Sequence, residues 1–219
     1  MASHPTFDPN MLSETGAQVI NDPDSPLINR AAQGIYPPGD LLSLFIQALE
    51  DDLGVRPSRQ DNIDLFSLLG FYSEPEIRLA VAPASLVGTL DGLRVSPLQM
   101  ALAASVLANK GVRTPGQLAT SVQTGLSEWA VLPRFQDNTV VFTPESVEAV
   151  TSEVLAPQQS FWRFIDMTGN AESTIAWFIG GTPSGWQGTP LVAVVALEDG
   201  DSQTADLIGQ ELLRSAIEH

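Results

Sequence analysis

The amino-acid sequence predicts an α+β fold, an antiparallel sheet flanked by helices. Three observations carry that prediction. Near the C-terminus lie three β-branched and aromatic runs, 161–168 (FWRFIDMT), 173–180 (STIAWFIG) and 190–198 (PLVAVVALE), separated by Gly, Asn and Pro. An amphipathic segment follows at 201–219, with Ala205, Leu207, Ile208, Leu212, Leu213 and Ile217 at helical spacing. Further helical patterns occupy the middle of the chain, an arrangement that stacks helices on a sheet. With 219 residues, 43% hydrophobic and 16% charged, the chain has the apolar content for a sizeable core. One domain over 1–219 is expected, with a sheet lobe at 1–39 and 161–219 and a helical lobe at about 40–160.

Taken in order, residues 1–39 are rich in Pro, Asn, Asp and Gly and read as turns and extended chain rather than helix. At Asp40 the texture changes: Leu41, Leu42, Phe45, Ile46, Leu49 and Leu53 predict a buried helix over 40–53, with Asp40 as its N-cap and Gly54 as its stop. A weaker helix is expected at 61–69, then loops and short strands through 70–95. Ser96-Pro97 opens a strong helix, serine as cap and proline at the first helical position, running to a Gly111 stop. Residues 115–125 read as another short helix, and Thr143-Pro144-Glu145 repeats the cap-plus-proline opening for a helix to about Leu155. The segment 180–189 (GGTPSGWQGT) is a turn-rich hairpin loop between strands.

Charge and composition exclude several functions. There are 26 acidic and 10 basic side chains, a net charge of −16 and a pI near 4.2, a field that repels phosphate backbones and anionic headgroups. Nucleic acid is therefore not expected as a partner, nor is direct membrane insertion, since no run reaches the roughly 18 apolar residues of a span. No signal peptide is visible at MASHPTFDPN. The absence of cysteine removes disulfides, thiolate nucleophiles and Cys-based metal sites. The two histidines, His4 and His219, lie near the chain ends, a poor basis for a Ser/His/Asp triad or a multi-histidine metal centre. No cofactor motif is present, and no metal site is expected. Glu50-Asp51-Asp52 and Glu198-Asp199-Asp201 lack the ligand spacing of a Ca²⁺ loop and read as solvated surface. Nine of the ten basic residues are arginine, and Lys110 is the only lysine.

Four segments, in this order, carry a resemblance to a known family: SHPTFDPN at 3–10, SPLINRAAQGIYPPG at 25–39, VSPLQMALAASVLANKG at 95–111, and Thr168-Gly169 before AWFIG at 176–180. Together they resemble the transpeptidase domain of class B penicillin-binding proteins, of the serine β-lactamase and D,D-peptidase superfamily. The resemblance implies a mixed fold with a sheet, helices on both its faces and a helical lobe, an extracytoplasmic setting in the bacterial cell envelope, and acylation of a serine by peptidoglycan stem peptides or penicillin. In that family a strand precedes the segment matching 3–10. This implies either a sheet one strand short at its edge or a longer anchored protein of which the chain is one domain.

The three motifs that carry the family's chemistry are degenerate here. The first places a serine and, three residues on, a lysine at the start of the helix after Y-P-P-G; those positions are Asp40 and Ser43. A carboxylate nucleophile would give a labile anhydride, and a serine hydroxyl cannot replace an amine base. The second motif, Ser-x-Asn, occurs nowhere between 40 and 95, an interval shorter than in the family, so a reduced helical lobe is expected. The third, Lys-Thr-Gly, reads Met167-Thr168-Gly169, followed by Asn170. Thr168, Gly169 and Asn170 would still form a strand edge able to pair with an extended peptide, although plain inheritance of the fold explains them as well. Of the four tryptophans, Trp186 in the Gly-rich loop is expected to be the most exposed and a candidate groove aromatic, with Trp129, Trp162 and Trp177 in the core.

The resulting expectation is a catalytically inactive transpeptidase homologue with no catalytic residue, acting as a binding or scaffolding module in peptidoglycan assembly. Its partner would be an extended peptide or a cell-envelope protein. The competing expectation is residual β-lactam or stem-peptide acylation through an atypical nucleophile, for which Ser43 is the candidate near the motif.

Overall fold

The computed structural model describes residues 1–75, 77, 92–125, 127–133, 137–155, 159–169 and 173–218. Its centre is a three-stranded antiparallel sheet of β5 (Trp162–Gly169), β6 (Thr174–Gly181) and β7 (Val192–Glu198), in the order β5-β6-β7. The register pairs Trp162 with Gly181 and Gly169 with Thr174, then Ile175 with Glu198 and Gly181 with Val192. Side chains alternate between the two faces, and each face meets helices. On one side Trp162, Trp177 and Ile179 pack with Leu41, Phe45, Val95, Met100 and Leu107 in the larger core. On the other, Phe161, Ala176 and Phe178 pack against Ala205 and Leu213. Complete burial of each of these larger side chains contributes about 1.5–3 kcal/mol.

The helices that build the first face are α3 (Leu42–Leu53), α4 (Arg59–Leu68), α5 (Pro97–Ala108) and α6 (Pro144–Glu153). Each forms for local reasons. Ser58 and Asp61 cap α4 reciprocally, and Ser96 and Gln99 do the same for α5, satisfying backbone donors that an open helix start leaves free. Thr143 caps α6, with Pro144 at its first position. Gly54 closes α3 in the left-handed region at φ 66°. The second face is covered by α7 (Ser202–Glu218), capped by Asp201, whose carboxylate accepts from the N–H and hydroxyl of Thr204 (2.8 and 2.7 Å). Arg163 on β5 is ion-paired with Asp206 on this helix. No helix among the described residues is long and apolar enough to cross a membrane.

The structure corrects three sequence expectations. Residues 1–39 are not free of helix: α1 (Leu12–Ile20) and the single turn α2 (Arg30–Gln33) lie there. Asp8 caps a 3-10 turn at Pro9–Met11 that runs into α1, so D-P-N is the same cap-plus-proline opening found at 96 and 143. No residue of α1 is buried, which is why its apolar spacing carries little signal. Residues 115–125 are not a helix either. Short β1 (Val112–Arg113) pairs with β4 (Thr139–Val140), and β2 (Ser121–Gln123) pairs with β3 (Trp129–Val131), turning at Ser127 with φ 64°. The β2–β3 hairpin buries none of its side chains, so it has no alternating core face for sequence patterning to detect. The third correction concerns Asp40, below. The strands and loops expected between 70 and 95 fall largely on residues outside those described.

Candidate functional site

The segment Ile35–Asp40 crosses one end of the sheet and is clipped to it by its backbone. Tyr36 and Val95 exchange backbone hydrogen bonds of 2.9 Å each. The Pro37 carbonyl accepts from both the Thr168 hydroxyl and the Trp177 indole N–H, each at 2.9 Å. The Tyr36 ring stands edge-on to Trp177 with centroids 6.1 Å apart. Its hydroxyl donates to Glu198 at 2.7 Å, and Glu198 is held in turn by the Arg30 guanidinium at 3.0 Å. Burial, with the Glu198 carboxylate as acceptor, holds the Tyr36 phenol above its ordinary pKa. This clip lines a cavity of about 510 Å³, bounded by Ile35, Tyr36, Pro37, Arg94, Gly169 and Glu198 among others.

Past the two prolines, Gly39 takes φ 59°, and a Cβ there would lie 2.1 Å from Thr168 Cγ2 and 2.2 Å from Asp166 Oδ2. Only glycine lets the chain pass this close to β5. The next residue, Asp40, is not the N-cap of the following helix. It sits within a 3-10 turn, Gly39–Leu41, and α3 starts from Leu41 without a side-chain cap. The reason is the tight turn after Pro38, which runs helically into α3 and leaves no extended residue to serve as a cap. The Asp40 side chain is exposed and has no hydrogen bond or ion pair among the described residues. Its backbone N–H donates to Asp166 Oδ2 at 2.7 Å. Ser43 is half-buried, and its hydroxyl donates to the Asp40 carbonyl at 2.6 Å.

The structure therefore brings Asp40, Ser43 and Thr168 together around Gly39 and adds a group that sequence reasoning missed, Asp166. Its signal was available: alternation from buried Trp162 and half-buried Phe164 places residues 166 and 168 on the same face of β5. By that alternation Met167 shares the opposite face with Ile165, and it is 48% exposed. Gly169 ends the strand at φ 117°, where a Cβ would meet the Ser173 carbonyl at 2.2 Å. Asn170 lies outside the described residues. Lys110 is exposed beyond the C-terminal end of α5. No hydrogen bond or ion pair among the described residues joins it to Asp40.

Two other expectations change. Trp186 is only half-exposed and packs over Gly188 of its own loop. Trp129 on the unburied hairpin is the open tryptophan at 68%, while Trp162 and Trp177 are fully buried. The acidic runs are not simply solvated. Asp52 accepts from the Thr143 N–H (3.2 and 3.1 Å to its two oxygens), from the Thr143 hydroxyl (2.5 Å) and from the Ser146 hydroxyl. Glu198 holds Tyr36 and Arg30 as described, and Asp199 accepts from the Thr174 N–H at 3.3 Å.

Chemically, the site also offers a backbone edge. The Arg163 N–H points off the sheet to the Val154 carbonyl at 3.1 Å. Every second residue shares that direction, so the N–H and C=O groups of Ile165, Met167 and Gly169 face outward along the same edge. None of the three has a backbone partner on that side among the described residues. Such an edge pairs with an extended peptide.

Comparison with known proteins places this geometry. No family model matches the chain. Among curated proteins it matches peptidoglycan D,D-transpeptidase MrdA of Escherichia coli (strain K12), 35% identical over 60 residues, 25% of this chain and 10% of that protein. It also matches peptidoglycan D,D-transpeptidase PbpA of Mycolicibacterium smegmatis, 35% identical over 68 residues, 27% of this chain and 14% of that protein. The matched stretch is thus a small part of either relative. Similar solved structures include penicillin-binding protein A from M. tuberculosis as an imipenem acyl-enzyme complex, with a TM-score of 0.81 at 17% identity, covering 99% of this chain and 69% of that one. Another is the D,D-transpeptidase domain of a peptidoglycan glycosyltransferase from Eggerthella lenta, with a TM-score of 0.75 at 17% identity, covering 97% and 74%. The chain has the α+β fold of penicillin-binding transpeptidase domains, as the four sequence segments imply.

Proposed function

We propose that this chain, with the fold of a penicillin-binding transpeptidase domain, is a non-acylating homologue that serves peptidoglycan assembly in the bacterial cell envelope as a binding module. In this reading 1–39 and 161–219 act as the sheet lobe and 40–160 as a reduced helical lobe of one domain. The ligand is an extended peptide, from a stem peptide or an envelope protein, paired to the outward groups of Ile165, Met167 and Gly169.

One observation carries the non-acylating part. At the position matching the family's nucleophile stands Asp40, whose backbone N–H is taken by Asp166, and the hydroxyl one turn on, Ser43, is itself donated to the Asp40 carbonyl. Acyl transfer needs a nucleophile with a base in reach and donors free for the developing oxyanion. Here the hydroxyl lacks an amine beside it and the amide faces a carboxylate.

The test is incubation with a fluorescent penicillin, followed by denaturing electrophoresis and intact mass. The expected result is no covalent adduct at any time point. A stoichiometric adduct lost in Ser43→Ala would establish residual acyl transfer through that serine and overturn the proposal.

A further inference from the structure

The cavity beside the Tyr36 clip carries charges that the clip does not use. Its walls include two carboxylates, Glu198 and Asp199, and one guanidinium, Arg94. Glu198 is already satisfied, because the Tyr36 hydroxyl donates to one of its oxygens and Arg30 to the other. Arg94 and Asp199 are not. Both are exposed, and among the described residues Arg94 has no hydrogen bond or ion pair, with Asp199 or with any other group. Asp199 accepts one bond, from the Thr174 N–H to Oδ1 at 3.3 Å, and its Oδ2 has no partner among the described residues.

The chain holds both groups at the cavity. Val95, next to Arg94, exchanges two backbone bonds of 2.9 Å with Tyr36, which fixes the backbone of residue 94 against the clip. Asp199 turns in the left-handed region at φ 52°, and its N–H donates to the Thr174 carbonyl at 2.8 Å. Apolar wall is supplied by Ile35, Pro37 and Ile175. Opposite charges that line one cavity without pairing are complementary to a ligand that carries both.

We propose that this cavity binds an α-amino acid in its zwitterionic form, with the carboxylate toward Arg94, the ammonium toward Asp199 and an apolar side chain against Ile35, Pro37 and Ile175. Charge balance selects this class. Arg30 neutralises Glu198 and the Tyr36 phenol is uncharged, so Arg94 and Asp199 sum to zero. A simple anion would leave Asp199 unanswered, and a simple cation would leave Arg94 so. The net charge of −16 also repels free anions, whereas a neutral dipolar ligand meets no such barrier. The volume of about 510 Å³ falls in the range of small-molecule sites, about 300–1,000 Å³. No acyl transfer and no pairing with β5 is involved, so the site stands or falls apart from the binding module proposed above.

Titration of the isotope-labelled full chain with leucine, leucinamide and N-acetylleucine, read by NMR shifts at single amides, tests this. Leucine should move the Gly169 and Ile175 amides with a Kd on the order of millimolar, as exposed charge contacts imply. Leucinamide, a cation only, and N-acetylleucine, an anion only, should each bind about two- to fivefold more weakly. Arg94→Gln should weaken leucine by the same factor and abolish its advantage over leucinamide. Asp199→Asn should instead abolish its advantage over N-acetylleucine. Both residues are exposed, so neither change reaches the core. Three results would overturn the proposal: no shift up to the solubility of leucine, equal binding of all three ligands, or wild-type leucine binding in both variants.

Discussion

Replacing Asp52 by alanine should destabilise the protein by about 2–3 kcal/mol, while the same change at its neighbours Glu50 and Asp51 should stay within about 0.5 kcal/mol, as exposed positions do. In sequence the three are one acidic run. In the structure Glu50 and Asp51 are exposed, whereas Asp52 reaches from the last turn of α3 to the first turn of α6. There it accepts from the Thr143 N–H, the Thr143 hydroxyl and the Ser146 hydroxyl. A hydrogen bond to a charged acceptor is worth about 1.5–3 kcal/mol, so three would total about 5–9 if all were dry. The site is half-buried, and water replaces the carboxylate for the Thr143 groups once it is gone, which removes most of that sum. What remains is the Ser146 hydroxyl, on a residue only 5% exposed, and the favourable carboxylate at a helix N-terminus, about 0.3–1 kcal/mol. Thr143 still caps α6 through its own oxygen, accepting from the Ser146 N–H at 3.3 Å, so the helix itself should persist. Urea unfolding followed by tryptophan fluorescence measures the difference, and a double-mutant cycle with Ser146→Ala isolates the pair. If Asp52→Ala matches Asp51→Ala within error, the run is solvated throughout and the α3–α6 tie carries no stability.

Three further outcomes are expected. Gly209→Ala should destabilise α7 although alanine favours helix by about 1 kcal/mol, because its Cβ would lie 2.1–2.3 Å from ring atoms of fully buried Phe178. Overpacking of that kind costs about 1–3 kcal/mol, so the melting temperature should fall, and a rise would show that the ring moves aside freely. Both tyrosines, Tyr36 and Tyr72, are held above the ordinary value of 10.0, chiefly by burial. Their contribution to stability is therefore complete below the unfolded pKa and is lost as pH rises through the folded one. Absorbance titration near 295 nm should show less phenolate at pH 10 in folded protein than in urea, where the transition is normal; equal titration in both states would mean that neither ring is sequestered. Finally, Trp129→Phe should remove most of the iodide-quenchable emission while leaving the buried Trp162 and Trp177 signal and the weaker quenching of half-exposed Trp186, and quenching left undiminished by this change would place the β2–β3 hairpin against the body.

Much of the fold is legible in the sequence because its determinants are local. Ser96-Pro97 and Thr143-Pro144 announce helices through the cap and the first-turn proline, and Gly54 announces an end, each by contacts within four residues. The three C-terminal strands are legible because β6, buried along nearly its whole length, demands a continuous apolar run. The same cap signal at Asp8-Pro9 stands in a segment dense with turn residues and leads into a helix that buries nothing, so composition outweighs it. The β2–β3 hairpin is held by cross-strand backbone bonds, which leave no side-chain period to read.

The candidate site divides in the same way. At the positions that the resemblance aligns with the family's motifs, the presence of Asp40, Ser43 and Met167 is a matter of residue identity, and residue identity is visible in one dimension. The sequence by itself thus determined the fold class, the helices α3 to α7 and the three strands of the central sheet. Only the tertiary structure decided what the remaining polar groups do. Asp166 meets the Asp40 amide across 126 residues of chain and Asp52 meets Thr143 across 91, while the Pro37 carbonyl gathers donors from β5 and β6. A carboxylate or a carbonyl reads identically whether it faces water or a donor, and the donor arrives only when distant segments pack together.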